Sequence, residues 1–425
     1  MIDRSKQPSI IQAENIHLFE PECYALSNGI PVHVFDMGTQ DVIKVELIFK
    51  AGTWEQDIPF TAVPANLLIK SGTYNLSADQ IAEKLDYFGA YLDTHTEKDA
   101  SAISLYCLNK HLKNTLPIFE DVVKNPQYPE HELDIFKERR LQSLTVNRQK
   151  GSFLAREHFQ RTLFGETHPY GRTQTEEYIQ QLNGNLLKEF HKKYYSASNC
   201  YVLVAGKAPK DLLSTLEKHF GSWGKSEIIS EKQFILEPSS QKNHFLEKSD
   251  ALQSAIRIGK PMINRLHPDY KKLQVLNTVL GGYFGSRLMT NIREDKGYTY
   301  GIGSAMISLR YGGYFVISSE VGTDNAAATL KEIYHEIEHL QNDLLGDEEL
   351  NLVRNYMLGS FLRSIDGPFA LSDKYRTMLE YGLNFNYYYD SIEAFKTVSA
   401  TDIRDMAQSY LKRDSLYEVV SGKSY

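Results

Sequence analysis

The sequence predicts an α+β protein built as two halves on one plan. Three observations predict it. Sliding the chain against itself by 216 positions aligns residues 182–207 with 398–423 without a gap, pairing Tyr194 with Tyr410, Tyr201 with Tyr417, Val204 with Val420, Gly206 with Gly422 and Lys207 with Lys423. The same offset pairs Gly151 with Gly367, Phe153 with Phe369 and Leu163 with Leu379, and one offset across separate segments points to an internal repeat. In both halves, stretches of helical apolar spacing are interspersed with short runs of strand character.

In the first half, residues 42–50 alternate and predict a strand. Residues 78–88 predict a helix with Ser77 as its N-cap and Gly89 just past its end. Residues 91–105 carry Thr, Tyr and Ile in alternation and predict one or two strands. Helices are expected over 112–123 and 132–149. Leu186, Leu187, Phe190 and Tyr194 share a helix face, residues 196–199 turn, and 200–204 form a short Val- and Tyr-rich strand. In the second half, helices are expected over 270–280, 325–344 and 348–364, and paired strands over 298–308 and 312–320. Polar residues without periodicity, 237–243, mark a linker placed at 225–248, between domains at 1–224 and 249–425.

Composition narrows the function. A net charge of −7 argues against nucleic acid, because phosphate binding needs a basic face. Three scattered cysteines, Cys23, Cys107 and Cys200, give neither a disulfide framework nor a C-x-x-C metal site, and fit a reducing compartment. Residues 1–20 lack the apolar core of a signal peptide, and no run reaches the roughly 18 apolar residues of a membrane span. The expectation is a cytoplasmic protein with no membrane partner.

Several segments resemble one family. Lys50-Ala51-Gly52-Thr53-Trp54-Glu55, then Ser71-Gly72-Thr73 ahead of the helix at 78–88, then residues 89–96, 164–172 and 190–206, are similar in order and spacing to the insulinase (pitrilysin)-type zinc peptidases. The resemblance implies two homologous α/β-sandwich domains, each a mainly antiparallel sheet packed with helices, as in the mitochondrial-processing-peptidase-like metallohydrolases. It also implies pairing with a second such unit around a peptide chamber.

Active members carry H-x-x-E-H on the helix before the Gly-Thr, with a third ligand, a Glu, further on. Catalytic zinc needs three protein ligands and an open position for water. Counted back from Gly72-Thr73, the motif falls on Val63, Pro64, Ala65, Asn66 and Leu67. The third ligand falls on Thr145, seven residues after Glu138 of a Glu138-Arg139 pair. Val63 and Leu67 cannot coordinate zinc, and a neutral amide at Asn66 cannot take a proton. No zinc is therefore expected in this chain, which is inactive by itself on this reading.

A second family element is intact: residues 288–300 carry Arg293 and Tyr300, seven residues apart. The resemblance implies that Arg293 grips a peptide carbonyl or carboxylate through its fork of donors and that Tyr300 donates to the oxyanion. The structural alternative is a salt bridge from Arg293 to Glu294 or Asp295, with Tyr300 a plain strand residue. In two-subunit members one chain carries zinc and the other the Arg–Tyr pair. The chain thus resembles the second: a peptide-binding partner of an H-x-x-E-H subunit, which would hold the zinc, with a homodimer left open. Residues 91–96 fall where the family's catalytic half offers an edge strand to peptide.

Two other readings stand beside this one. The chain would be a scaffold subunit with no peptide handling. Or it would be an active metallopeptidase using His335, Glu338 and His339, because His335-Glu336-Ile337-Glu338-His339 fits both H-E-x-x-H and H-x-x-E-H. Against the last, Leu330, Ile333, Tyr334, Ile337 and Leu340 make the buried stripe of that helix and leave both histidines on the wet side, with Glu418 the one further carboxylate considered.

Overall fold

Val-, Ile- and Leu-rich runs build two sheets, as expected from the strand propensity of branched side chains. The computed structural model describes residues 16–225 and 230–424; residues 1–15 of the segment read as lacking a signal peptide, and 226–229 of the expected linker, lie outside them. The strands are β1 (Glu22–Ala25), β2 (Pro31–Asp36), β3 (Val42–Phe49), β4 (Tyr91–Thr96), β5 (Ser101–Leu108), β6 (Cys200–Gly206), β7 (Asn243–Glu247), β8 (Gln253–Pro261), β9 (Thr299–Leu309), β10 (Gly312–Gly322) and β11 (Tyr417–Gly422). The helices are α1 (Ala62–Leu67), α2 (Ala78–Tyr87), α3 (Leu112–Lys124), α4 (Glu130–Arg148), α5 (Gly151–Phe164), α6 (Glu176–Gln180), α7 (Gly184–Tyr194) and α8 (Leu212–Phe220) in the first half. In the second they are α9 (Tyr270–Asn277), α10 (Ala326–Asn342), α11 (Asp347–Arg363), α12 (Pro368–Glu380), α13 (Asn386–Thr397) and α14 (Ala400–Tyr410).

The first sheet runs β1-β2-β6-β3-β5-β4 and the second β7-β11-β8-β10-β9. β2 lies parallel to β6, and β7 parallel to β11; every other neighbouring pair is antiparallel. Apart from β1 the two sheets have one order and one pairing sense, and β6 and β11 are the strands that the 216-residue offset superposes. β7 lies inside the segment expected to link the halves: residues 243–247 pair with β11, with His244 and Leu246 turned inward. The α+β class and the helix-packed sheets are as the sequence predicts.

One exchange was not foreseen. α5, from the first half, packs on β8 and β11 of the second sheet, and α12, from the second half, packs on β2 and β6 of the first. Phe159 of α5 joins a core with Ala255, Val316 and Val419, while Tyr375 of α12 meets Phe35 and His33. Both faces of each sheet are therefore covered, so central strands read as almost continuous apolar runs. β3 carries two buried charges on the α12 side. Lys44 pairs with Glu46 (3.1 Å) and Asp373 (2.8 Å), and Arg376 reaches Glu46 at 3.2 Å.

Candidate functional site

α1 is a single short helix with Pro64 inside it, packed against β4. Ala62, Ala65 and Asn66 are buried, Val63 is half-buried and Leu67 is exposed. Asn66 does structural work: its carboxamide donates to the carbonyls of His95 (2.8 Å) and Ala102 (3.2 Å), tying α1 to the opposed strands β4 and β5. The Tyr128 hydroxyl donates to the Ala65 carbonyl at 2.7 Å. Thr145 is exposed on α4, and its hydroxyl donates to the Leu141 carbonyl of its own helix at 3.0 Å. None of these four side chains offers a zinc ligand, and among the described residues no three His, Cys, Asp or Glu side chains converge on a metal position.

Arg293 and Tyr300 come together. The first lies in a wide i→i+5 turn over Met289–Asp295 and the second at the start of β9. Ile292 anchors the turn in the core, so that Arg293 faces outward. Its guanidinium lies 4.8 Å from the ring centre of Phe284 and 5.2 Å from that of Tyr300, a cation held by two aromatic rings. The expected alternative, an ion pair with Glu294 or Asp295, does not form, and Arg293 has no ion pair among the described residues. Tyr300 is 89% exposed, and its hydroxyl makes no hydrogen bond among the described residues. β9 is the edge of the second sheet as β4 is of the first, so both edge strands offer unpaired backbone groups. On β4, His95 Nε2 lies 3.0 Å from Glu97; that bond holds the His95 imidazole pKa up and the Glu97 carboxyl pKa down.

The histidines of α10 are not in contact with Arg293 or Tyr300, although His335 lines one cavity with Asn291 and Asp295 of the turn. His335 and His339 place their Nε2 atoms 3.1 Å apart, and His339 Nδ1 lies 2.6 Å from Asp343. The expected stripe from Leu330 to Leu340 is buried. Glu338 turns toward Arg413 at 3.9 Å, and Glu418 accepts a hydrogen bond from the Tyr334 hydroxyl at 3.1 Å. Neither carboxylate completes a triad with the imidazoles.

The family model of the peptidase M16 inactive domain matches residues 181–357. An uncharacterized zinc protease, YmxG, of Bacillus subtilis is 25% identical over 349 residues, covering 81% of this chain and 84% of its own. A non-peptidase homolog, YmxG, of Helicobacter pylori is 24% identical over 369 residues, covering 84% and 83%. The crystal structure of a peptidase M16 inactive domain from Pseudomonas fluorescens superposes with a TM-score of 0.88 at 23% identity, over 96% of this chain and 99% of that one. A protease structure from Helicobacter pylori gives 0.87 at 19% identity, over 96% and 100%.

The chain is a homologue of the M16 peptidases. In this M16 homologue two features escaped the sequence reading. Phe284, the second ring on Arg293, stands in Gly281-Gly282-Tyr283-Phe284-Gly285, and a large apolar residue among glycines was the available signal. The tie from Asn66 to His95 and Ala102 left no signal, because it joins residues 29 and 36 positions apart through tertiary packing. Among the described residues, no helix of the M16 homologue is long and apolar enough to cross a membrane.

Proposed function

We propose that this M16 homologue is the non-catalytic, peptide-binding member of a two-chain zinc endopeptidase, and that it supplies Arg293 and Tyr300 to a zinc site on its partner. The observation that carries the reading is the outward guanidinium of Arg293 between Phe284 and the exposed Tyr300, with no carboxylate taking its donors among the described residues. Such a fork matches a carbonyl or carboxylate, and the stacked rings hold it ready. A phenol donor placed on a developing oxyanion is worth about 3 kcal/mol, or roughly a hundredfold in rate. Val63, Asn66, Leu67 and Thr145 occupy the positions of the lost motif on this reading. The partner is an H-x-x-E-H chain that holds the zinc, and the edge of β9 or β4 receives peptide by strand addition. The two halves are residues 1–224 and 249–425, joined by 225–248, whose β7 adds a strand to the second sheet, and the compartment is the cytoplasm.

The test is reconstitution with an H-x-x-E-H M16 chain from the same cells, assayed on a fluorogenic peptide. Mixing is expected to give hydrolysis that neither chain gives alone. Tyr300→Phe should lower kcat about a hundredfold, and Arg293→Ala should mainly raise KM, with assembly intact by size exclusion. Full activity in the doubly substituted complex would favour the scaffold reading. A homodimer that hydrolyses peptide without a second chain would remove the need for a partner.

A further inference from the structure

A cavity of about 410 Å³ lies within the helix layer of the second half, bounded by α9, α11, α12, α13 and the loop before α9. None of Phe284, Arg293 and Tyr300 lines it, and the peptidase reading assigns it no task. Two cations line it, Arg265 and Lys374, both half-buried. Arg265 Nε lies 3.3 Å from Ser308 Oγ, and its guanidinium lies 4.6 Å from the ring centre of Tyr381. Those contacts fix the plane of the guanidinium and leave its terminal nitrogens without a protein acceptor among the described residues. The Lys374 ammonium likewise has no hydrogen bond or ion pair among the described residues; only its backbone carbonyl is engaged, by the Tyr388 hydroxyl at 2.9 Å.

The contrast with Arg376, two residues further along α12, is instructive. Arg376 meets Glu46 at 3.2 Å, Glu97 at 3.4 Å and Glu380 at 3.6 Å. Glu97 and Glu380 line the neighbouring cavity, where Arg265 also forms part of the wall, but Arg376 already takes them. Arg265 feels Glu97 and Glu380 only across the neighbouring cavity and makes no ion pair with either, while Lys374 loses water without gaining any partner among the described residues, which raises the energy of the fold. Burial, and the repulsion of Arg265, push the Lys374 pKa down. The rest of the wall is formed by the rings of Tyr387 and Tyr388 and by four hydroxyls, of which those of Thr278, Ser364 and Ser391 already donate to carbonyls of their own helices, so the two cations carry the recognition of an anion.

We infer that this cavity binds a small dianionic ligand, a phosphate monoester or a dicarboxylate, held by the fork of Arg265 and the point charge of Lys374. The guanidinium matches two oxygens of one phosphate or carboxylate, and the ammonium neutralises the second charge.

Thermal unfolding of the full chain tests this, with inorganic phosphate and succinate as probes against chloride at equal ionic strength. At saturation either probe should raise the midpoint by about 3 °C. General salting-out by phosphate rises without saturating and survives substitution, which separates it from binding. Lys374→Met should abolish the saturable rise and, in chloride, be at least as stable as wild type, because it removes an unpaired charge. Arg265→Gln should also abolish the rise. The larger response identifies the ligand as phosphate-like or dicarboxylate-like. No saturable rise with either probe, a rise that persists in Lys374→Met, or a Lys374→Met chain less stable than wild type in chloride would each overturn the proposal.

Discussion

Asn66 has a structural task in this fold. Its carboxamide donates to two carbonyls where a carboxylate would repel them both. Asn66→Ala should cost about 2 kcal/mol in urea unfolding, since two buried acceptors lose their donor, and Asn66→Asp should cost more. Arg293 and Tyr300 behave oppositely. Both face outward, so Arg293→Ala and Tyr300→Phe should shift stability by no more than about 0.5 kcal/mol, measured the same way. Loss of fold in either would mean that these side chains are structural. At this scale the sequence was informative wherever chemistry alone decides. A valine or a leucine cannot bind zinc in any fold, and an Arg–Tyr spacing survives as spacing. What Asn66 does instead was hidden, because its acceptors lie on β4 and β5. That Arg265 and Lys374 line one cavity was hidden too, since they come to it only when α12 docks near the loop before α9.

The exchanged helices decide how the halves hold together. Gly151 and Gly367, matched by the 216-residue offset, open α5 and stand just before α12, and each helix lies on the other half's sheet. The offset revealed that these segments are equivalent, but an apolar helix face does not say which sheet will cover it. Likewise β3 reads as alternating, while Lys44 and Glu46 are buried beneath α12 and not solvated. Phe159→Ala should cost about 3–5 kcal/mol, because it empties a fully buried ring from the junction of α5 and the second sheet. Glu380, near the end of α12, has its carboxyl pushed up to about 7 by burial, with Arg376 acting the other way. A folded-state value above the unfolded 4.5 means the folded chain holds this proton more tightly, so its contribution is full below about pH 4.5 and is lost as pH rises through about 7. Glu380→Gln should therefore gain on wild type between pH 5 and pH 8, by up to about 3 kcal/mol, in parallel urea titrations. A constant difference across that range would show that Glu380 ionises normally.

The whole molecule is two copies of one sheet plan, each closed by a helix from the other. Such reciprocal cover predicts a single cooperative unfolding transition, in which fluorescence and circular dichroism report one midpoint. Two separated transitions would contradict it. The fold class was legible because it rests on local periodicity and on a repeat at constant offset. The exchange, a tertiary choice between equivalent sheets, was not. The proposed role rests on reading Arg293 and Tyr300 as the working pair of the second half and Val63, Asn66, Leu67 and Thr145 as a motif without ligands in the first. Zinc content of the purified full chain at neutral pH tests that claim most directly. The account predicts less than about a tenth of an equivalent after dialysis, because a catalytic site needs three protein ligands. One equivalent that survives dialysis and disappears in His339→Ala would contradict it, and would return catalysis to His335, Glu338 and His339.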